Sequence, residues 1–199
     1  MRFRAAFASA LAAALCFLPL PVFAQHTTVE NLCRLHGIER QENIARIGEA
    51  YAAARNAGIS EEELLPFVED ILKHKLDCPQ MVRVLAVATK LREEGLPYFV
   101  VFSKVREGVA KEAAPALVVE AAESKLKTLS ESRDVLLSLE ANGYRILDFQ
   151  KAAVIVSSYI EKGYTSGEIV SQIRKKGIQG AGFAALSGVV ERKVKRKER

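Results

Sequence analysis

Apolar residues recur at intervals of three and four along most of this chain, and this spacing constrains its fold more than any other feature. Between Glu61 and Lys75, for example, the larger apolar residues fall on one face of a helix: Leu64, Leu65, Val68, Ile71 and Leu72. No stretch alternates apolar and polar residues over the length of a strand between hairpin turns. The sequence therefore predicts an all-α protein.

Helix-start signals divide the chain into ten short helices. Ser60-Glu61-Glu62-Glu63 and Thr165-Ser166-Gly167-Glu168 match the capping-box pattern, in which a hydroxyl and a carboxylate satisfy free backbone N–H groups. Pro79, Pro97 and Pro115 stand near first helical positions, where a missing N–H has no cost. The predicted helices cover 29–35, 41–56, 61–75, 79–94, 97–111, 115–129, 132–141, 147–162, 166–176 and 182–195.

The helix starts are also almost evenly spaced along the chain. Ser60, Pro79, Pro97 and Pro115 follow one another at spacings of 19, 18 and 18 residues. Two such units are about as long as a helical-hairpin repeat of roughly 34 residues. We therefore expect antiparallel helical hairpins, which either stack into a short α-solenoid or close into an irregular bundle.

The first residues are typical of a secretory leader. A basic start, Met1-Arg2-Phe3-Arg4, precedes an apolar run from Ala5 to Leu20, and Val22-Phe23-Ala24 resembles a cleavage site. The run is shorter than the roughly 20 residues of a membrane-spanning helix. The sequence predicts a signal peptide at 1–24, export to the periplasm or out of the cell, and a single helical domain over 25–190.

The positive charge is concentrated at the C-terminal end. Loss of Arg2 and Arg4 lowers the formal charge from +5 to +3, and a tail over 191–199 carries +4, so the body is slightly acidic. This distribution does not favour nucleic-acid binding, which requires a basic stripe on the domain itself. The tail could contact an anionic membrane surface next to an apolar last helix, or only solubilise a helix packed in the core. Its cationic residues are Arg192, Lys193, Lys195, Arg196, Lys197 and Arg199.

Two cysteines, Cys33 and Cys78, belong to the mature chain. An even cysteine count in an exported protein predicts a disulfide between them. Closing a loop of around 45 residues would contribute roughly 3–4 kcal/mol. The alternative is a zinc site, because Cys33-x2-His36 and His74-x3-Cys78 supply four ligands at plausible spacings. An oxidising compartment disfavours that alternative, and we assign no metal or other cofactor.

No sequence motif indicates an enzyme. The chain lacks a Gly-x-Ser-x-Gly elbow, a Gly-Lys-Ser/Thr phosphate loop and a His-Glu-x-x-His pair. Our leading hypothesis is a non-enzymatic exported helical scaffold that binds an unidentified protein of the cell envelope. The alternatives are a helical binder of an apolar small molecule or lipid, and an enzyme whose site we do not recognise.

One segment carries a resemblance. Leu96-Pro97, then the run from Lys104 to Lys111, then Pro115, resembles a segment of uncharacterised exported bacterial helical proteins. The resemblance covers roughly 95–129 and implies helices and export, with no functional residue. In that group a glycine usually follows the lysine that corresponds to Lys111, whereas this chain has Glu112.

Overall fold

Eight α-helices and a two-stranded ribbon make up the regular structure of residues 28–193, the part of the chain that the structure, a computed structural model, describes. The prediction of an all-α protein is confirmed. The helices are α1 Val29–Leu35, α2 Gln41–Asn56, α3 Glu61–Lys73, α4 Cys78–Glu93, α5 Phe99–Ala110, α6 Pro115–Ala141, α7 Phe149–Glu161 and α8 Ser166–Lys176. The strands, β1 Tyr144–Ile146 and β2 Val190–Arg192, pair antiparallel.

Local signals explain where the helices begin. At α8, the Thr165 hydroxyl accepts from the backbone N–H of Glu168, and the Glu168 carboxylate accepts from that of Thr165. Asp77 and Gln80 form the same reciprocal cap at α4. Each cap satisfies N–H groups that the first turn of a helix leaves free.

The helices pack in two rows. In the first row α2 contacts α4, α4 contacts α6 and α6 contacts α8, while in the second row α1 contacts α3 and α3 contacts α5. Helix α7 lies antiparallel to the C-terminal half of α6, and the Lys125 side chain reaches the Glu161 carboxylate at 2.5 Å. Most helices thus pack against the second one after them, as in a short α-solenoid, whereas α7 packs against α6.

The two rows share one continuous apolar core that extends from Val29 to Val190. Between α3 and α5, the rings of Phe67 and Phe102 stack with centroids 3.8 Å apart. Near the C-terminal end, Phe183 is fully buried, and its ring meets that of Tyr159 edge-on at 4.7 Å. One core therefore fixes the rows relative to each other.

The prediction of two helices at 115–129 and 132–141 is wrong, because α6 is continuous over that span. Ser130 and Ser132 lie at the predicted break, and serine hydroxyls can compete for backbone groups. Here the Ser132 hydroxyl is buried and donates to the Leu129 carbonyl of the preceding turn, at 2.7 Å. The buried stripe continues through Leu129, Val135 and Leu139, so packing holds the helix together across the serines.

The prediction of a last helix at 182–195 is also wrong. Two short 3₁₀ turns, Gly180–Gly182 and Ala184–Gly188, lead instead into β2. Gly182 has φ +81°, a left-handed conformation that a helix cannot contain. Four apolar residues of this stretch are buried in the core: Phe183, Leu186, Val189 and Val190.

Within residues 28–193, no helix has both the length and the hydropathy to cross a bilayer. The signal peptide predicted at 1–24 lies outside the described residues. So do Lys195, Arg196, Lys197 and Arg199 of the predicted tail.

Glu112 takes up a strained conformation at the end of α5. Its φ is +53°, in the left-handed region that glycine adopts far more easily than other residues. Its N–H donates to Val109 O, which closes the end of the helix. The backbone at this position therefore favours glycine over Glu112.

A proline at Glu131 tests the continuity of α6. In an unbroken helix, Glu131→Pro removes a backbone hydrogen bond and clashes with the preceding turn, which costs about 3 kcal/mol. We expect urea unfolding to show that loss, and Glu131→Ala to stay within about 0.5 kcal/mol of the parent. A well-tolerated proline would instead place a loop between two helices.

A glycine at position 112 should stabilise the protein. We expect Glu112→Gly to raise the free energy of unfolding by about 0.5–1 kcal/mol, because it relieves the left-handed strain. The neighbouring Lys111→Gly, at φ −91°, should lower it by a similar amount, since glycine there only adds freedom to the unfolded chain. Urea denaturation midpoints measure both, and a shift of the same sign in the two variants would contradict the explanation.

Candidate functional site: the groove between α6 and α8

A cleft of about 620 Å³ separates α6 from α8, and we call it the α6–α8 groove. Its floor is apolar, with Val135 from α6 and Val170 from α8. Its rims carry hydroxyl and charged groups. The lining residues are Asp134, Val135 and Ser138 on α6, with Ser166, Gly167, Val170, Ser171, Arg174 and Lys175 on α8.

The buried face of α8 determines which of its residues line the groove. Ile169 and Ile173 are fully buried in the core, which fixes the rotation of the helix about its axis. Positions three and four residues apart share a face, so Gly167, Ser171 and Arg174 turn together toward α6. Gly167 and Ser171 are small, and they leave space where a larger side chain would fill the cleft.

The groove is polarised along α8. Its N-terminal end presents Ser166 and the first free N–H groups of the helix, and its C-terminal end presents Arg174 and Lys175. Among the ion pairs of residues 28–193, neither cation has a carboxylate partner. Asp134, on the facing rim, makes only a 3.7 Å contact with Arg133. The C-terminal end therefore offers uncompensated positive charge.

A second groove lies between α2 and α4 and measures about 500 Å³. Ala50, Ala53, Val82 and Ala86 make it more apolar than the α6–α8 groove. Its charged rim includes both acids and bases, among them Arg46, Glu49, Lys90 and Glu93. This groove thus lacks an end that carries only positive charge, as the α6–α8 groove has at Arg174 and Lys175.

Between these two grooves, polar pairs bridge α4 and α6. Arg83 donates two hydrogen bonds to the Glu123 carboxylate, at 2.8 and 2.7 Å. At the other end of α4, Glu94 accepts from Arg133 at 2.8 Å and from Ser130 at 3.3 Å. The bidentate Arg83–Glu123 pair favours a fixed geometry. The open grooves of the first row therefore flank a bridged pair of helices.

Cys33 and Cys78 are both buried, and the structure holds both as free thiols. Burial raises the pKa of Cys33 to about 11, with a further contribution from nearby Cys78. Burial also raises the pKa of Cys78, whose thiol donates to the Asn43 carbonyl at 3.6 Å. The fold thus brings the two cysteines near each other, without the bond that the sequence predicts.

The four weak metal candidates are not assembled into a site. His74 bonds through Nε2 to the Val109 carbonyl on α5, which occupies one of its two ring nitrogens. Within residues 28–193, no three His, Cys, Asp or Glu side chains are grouped so that they could hold a metal ion. Cys33, His36, His74 and Cys78 therefore do not converge as zinc ligands.

Sequence reasoning did not single out the groove residues. Ser138 and Ser171 lie on different helices, and no local pattern shows that these helices are neighbours. The available signal was the small and polar face of α8, opposite Ile169 and Ile173. Of the cationic tail residues, the structure describes only Arg192 and Lys193, and both are exposed.

Comparison with known proteins adds no relative. No protein-family model matches the chain, and neither the curated proteins nor the solved structures contain a significant match.

Proposed function

We propose that this chain is an exported, non-enzymatic interaction protein of the cell envelope, and that it binds an acidic, extended segment of a partner protein in the α6–α8 groove. One observation carries the proposal: an open cleft with an apolar floor ends at two cations, Arg174 and Lys175, that have no partner among residues 28–193. The leader at 1–24 supports export. The solenoid arrangement supports binding, because stacked helices build extended surfaces of this kind.

The dimensions of the groove suit a short peptide segment. From Ser166 to Lys175 the helix rises about 14 Å at 1.5 Å per residue. An extended peptide at roughly 3.3 Å per residue would place about four residues along it. Carboxylates of the segment would face Arg174 and Lys175, and its backbone would meet the hydroxyls of Ser138 and Ser171.

The same features weigh against one alternative function. A binder of an apolar molecule needs an enclosed apolar cavity, but serine, arginine and lysine side chains rim this cleft.

Photo-crosslinking tests the groove directly. A benzophenone amino acid in place of Ser171 should crosslink to a polypeptide in cells of the native host, and the charge reversal Arg174→Glu with Lys175→Glu should reduce that adduct at least tenfold. The reduction follows because two favourable charge contacts become repulsive.

Two matched controls accompany this experiment. The benzophenone residue at Ser124, exposed on α6 outside the groove, should give no such adduct. Reversal of two distant exposed cations, Arg40→Glu with Lys127→Glu, should leave the Ser171 adduct unchanged. The proposal fails if Ser171 and Ser124 crosslink alike, or if native mass spectrometry finds a small apolar ligand filling the groove.

We also propose that Cys33 and Cys78 form a disulfide in the exported protein. The two thiols would each lose a proton, and their two electrons would pass to an oxidised thiol–disulfide oxidoreductase of the compartment. A thiol with a pKa of about 11 is almost entirely protonated near neutral pH, and the thiolate is the reactive form. The bond should therefore form before Cys33 becomes buried.

Intact mass spectrometry of the protein from its native host tests both export and the disulfide. We expect a chain that begins at Gln25 and is lighter by two hydrogen atoms than the reduced form. Cys78→Ser should lower stability by roughly 3–4 kcal/mol without reductant and by much less with it.

Oxidation of the folded, reduced protein supplies an independent measurement. Because the pKa of Cys33 is raised, the rate should still rise with pH above 10, where an ordinary thiol with a pKa of 9.0 is already mostly ionised. Two free thiols in protein from the native host would contradict the disulfide, and an N-terminus at Met1 would contradict export.

A further inference from the structure

The β1–β2 ribbon joins the C-terminal part of the chain to the end of α8. Tyr144 pairs with Arg192 across the ribbon, and the buried Tyr144 hydroxyl donates to the Ile173 carbonyl in α8, at 3.1 Å. The N–H of Lys193 donates to Gly143 O at 2.8 Å. The position of Arg192 and Lys193 is thus fixed by the fold, although the sequence suggested that they belong to a free tail.

This junction gathers cations from three elements, and we call them the basic end: Arg145 on β1, Lys176 on α8, and Arg192 and Lys193 at β2. Lys176 and Arg192 line the same cleft of about 390 Å³ between the helix and the ribbon. All four are exposed. Four further cations follow directly in the sequence, at Lys195, Arg196, Lys197 and Arg199.

Few acids offset this charge. Glu191 lies 3.6 Å from Arg145, and Lys176, Arg192 and Lys193 have no carboxylate partner in the part of the chain that the structure describes. Glu140 and Asp148 border the ribbon in sequence. Over the whole chain, residues 166–199 hold nine lysines and arginines against three acids, whereas 25–165 carries a net charge of −3. The molecule is therefore strongly polarised toward this end.

We infer that the basic end binds the anionic headgroups of a phospholipid bilayer, with the solenoid standing off the membrane surface. This inference is independent of the proposed partner in the groove, because none of the four residues of the basic end lines it. Each basic residue near an anionic surface contributes about a fivefold factor in affinity. Four cations on one end, with four more in the next six residues, are enough for measurable binding.

A flat anionic surface fits the basic end better than a soluble polyanion does. The cations sit on a ribbon and a helix end at one extremity, whereas a nucleic-acid chain is bound along a basic stripe or groove. Leu147 follows β1 directly, two residues after Arg145, and is 50% exposed. An exposed leucine close to cations can insert at the headgroup boundary.

Vesicle co-sedimentation with the full-length exported protein tests this inference. We expect binding to vesicles of phosphatidylcholine with one quarter phosphatidylglycerol, and none to phosphatidylcholine alone. Binding should weaken steeply between 50 and 300 mM salt, because screening shortens the reach of the charges. The triple variant Lys176→Gln, Arg192→Gln, Lys193→Gln should lower the partition coefficient on the order of 100-fold at low salt.

A charge-matched control separates the basic end from net charge. Arg40→Gln, Lys90→Gln, Lys127→Gln removes three exposed cations elsewhere, and this variant should lose less than threefold. Leu147→Ser should weaken binding more than Leu117→Ser, which changes a leucine of similar exposure on α6. Circular dichroism should show that every variant is folded.

Three results would overturn the inference. The first is equal binding to neutral and anionic vesicles, and the second is equal loss in the two triple variants. The third is binding of a single-stranded nucleic acid without binding of anionic vesicles. Failure here leaves the Ser171 crosslink unaffected, so the two proposals are tested separately.

Discussion

The burial of α6 along most of its length is the constraint on which the rest of the structure depends. Its buried stripe runs from Val118 to Leu139, and the helix contacts α4, α5, α7, α8 and β1. Its N-terminal half completes the hairpin with α5, where Gly108 leaves room for Val118. Its C-terminal half supplies one wall of the α6–α8 groove. Burial of each large apolar side chain stabilises the fold by about 1.5–3 kcal/mol. The buried stripe of α6 therefore holds the two halves of the solenoid together.

The local part of the fold could be predicted from the sequence, because it depends on signals within a few residues. The bounds of α1, α2 and α8 match the prediction residue for residue, and caps such as Thr165–Glu168 explain why. The errors lie where distant contacts decide. Leu129 and Val135 hold α6 together across Ser132, and Val190 pairs with Ile146 far back in the chain. The spacing of apolar residues over a few helical turns predicts neither of these contacts.

The candidate site was accessible from sequence only in part. The even cysteine count drew attention to Cys33 and Cys78, which are both buried, whereas the ligand spacing suggested a zinc site whose four residues are not grouped in the fold. The charge pattern located the C-terminal cations. It did not show that Tyr144, whose strand pairs with theirs, is hydrogen-bonded to α8. The groove depends on the register between α6 and α8, which their separate sequences do not specify.

The β1–β2 pairing also sets an order in which the chain can mature. Hairpins α1 to α5 rest on contacts between neighbours in sequence, so they can assemble as the chain emerges. The ribbon closes only when Val190–Arg192 arrives, about 45 residues after β1. Until then Phe183 and Leu186 cannot cover α7, and the apolar surface of the last unit stays open to aggregation. The C-terminal unit, including the wall that α8 provides, is therefore complete only once β2 is available to pair with β1.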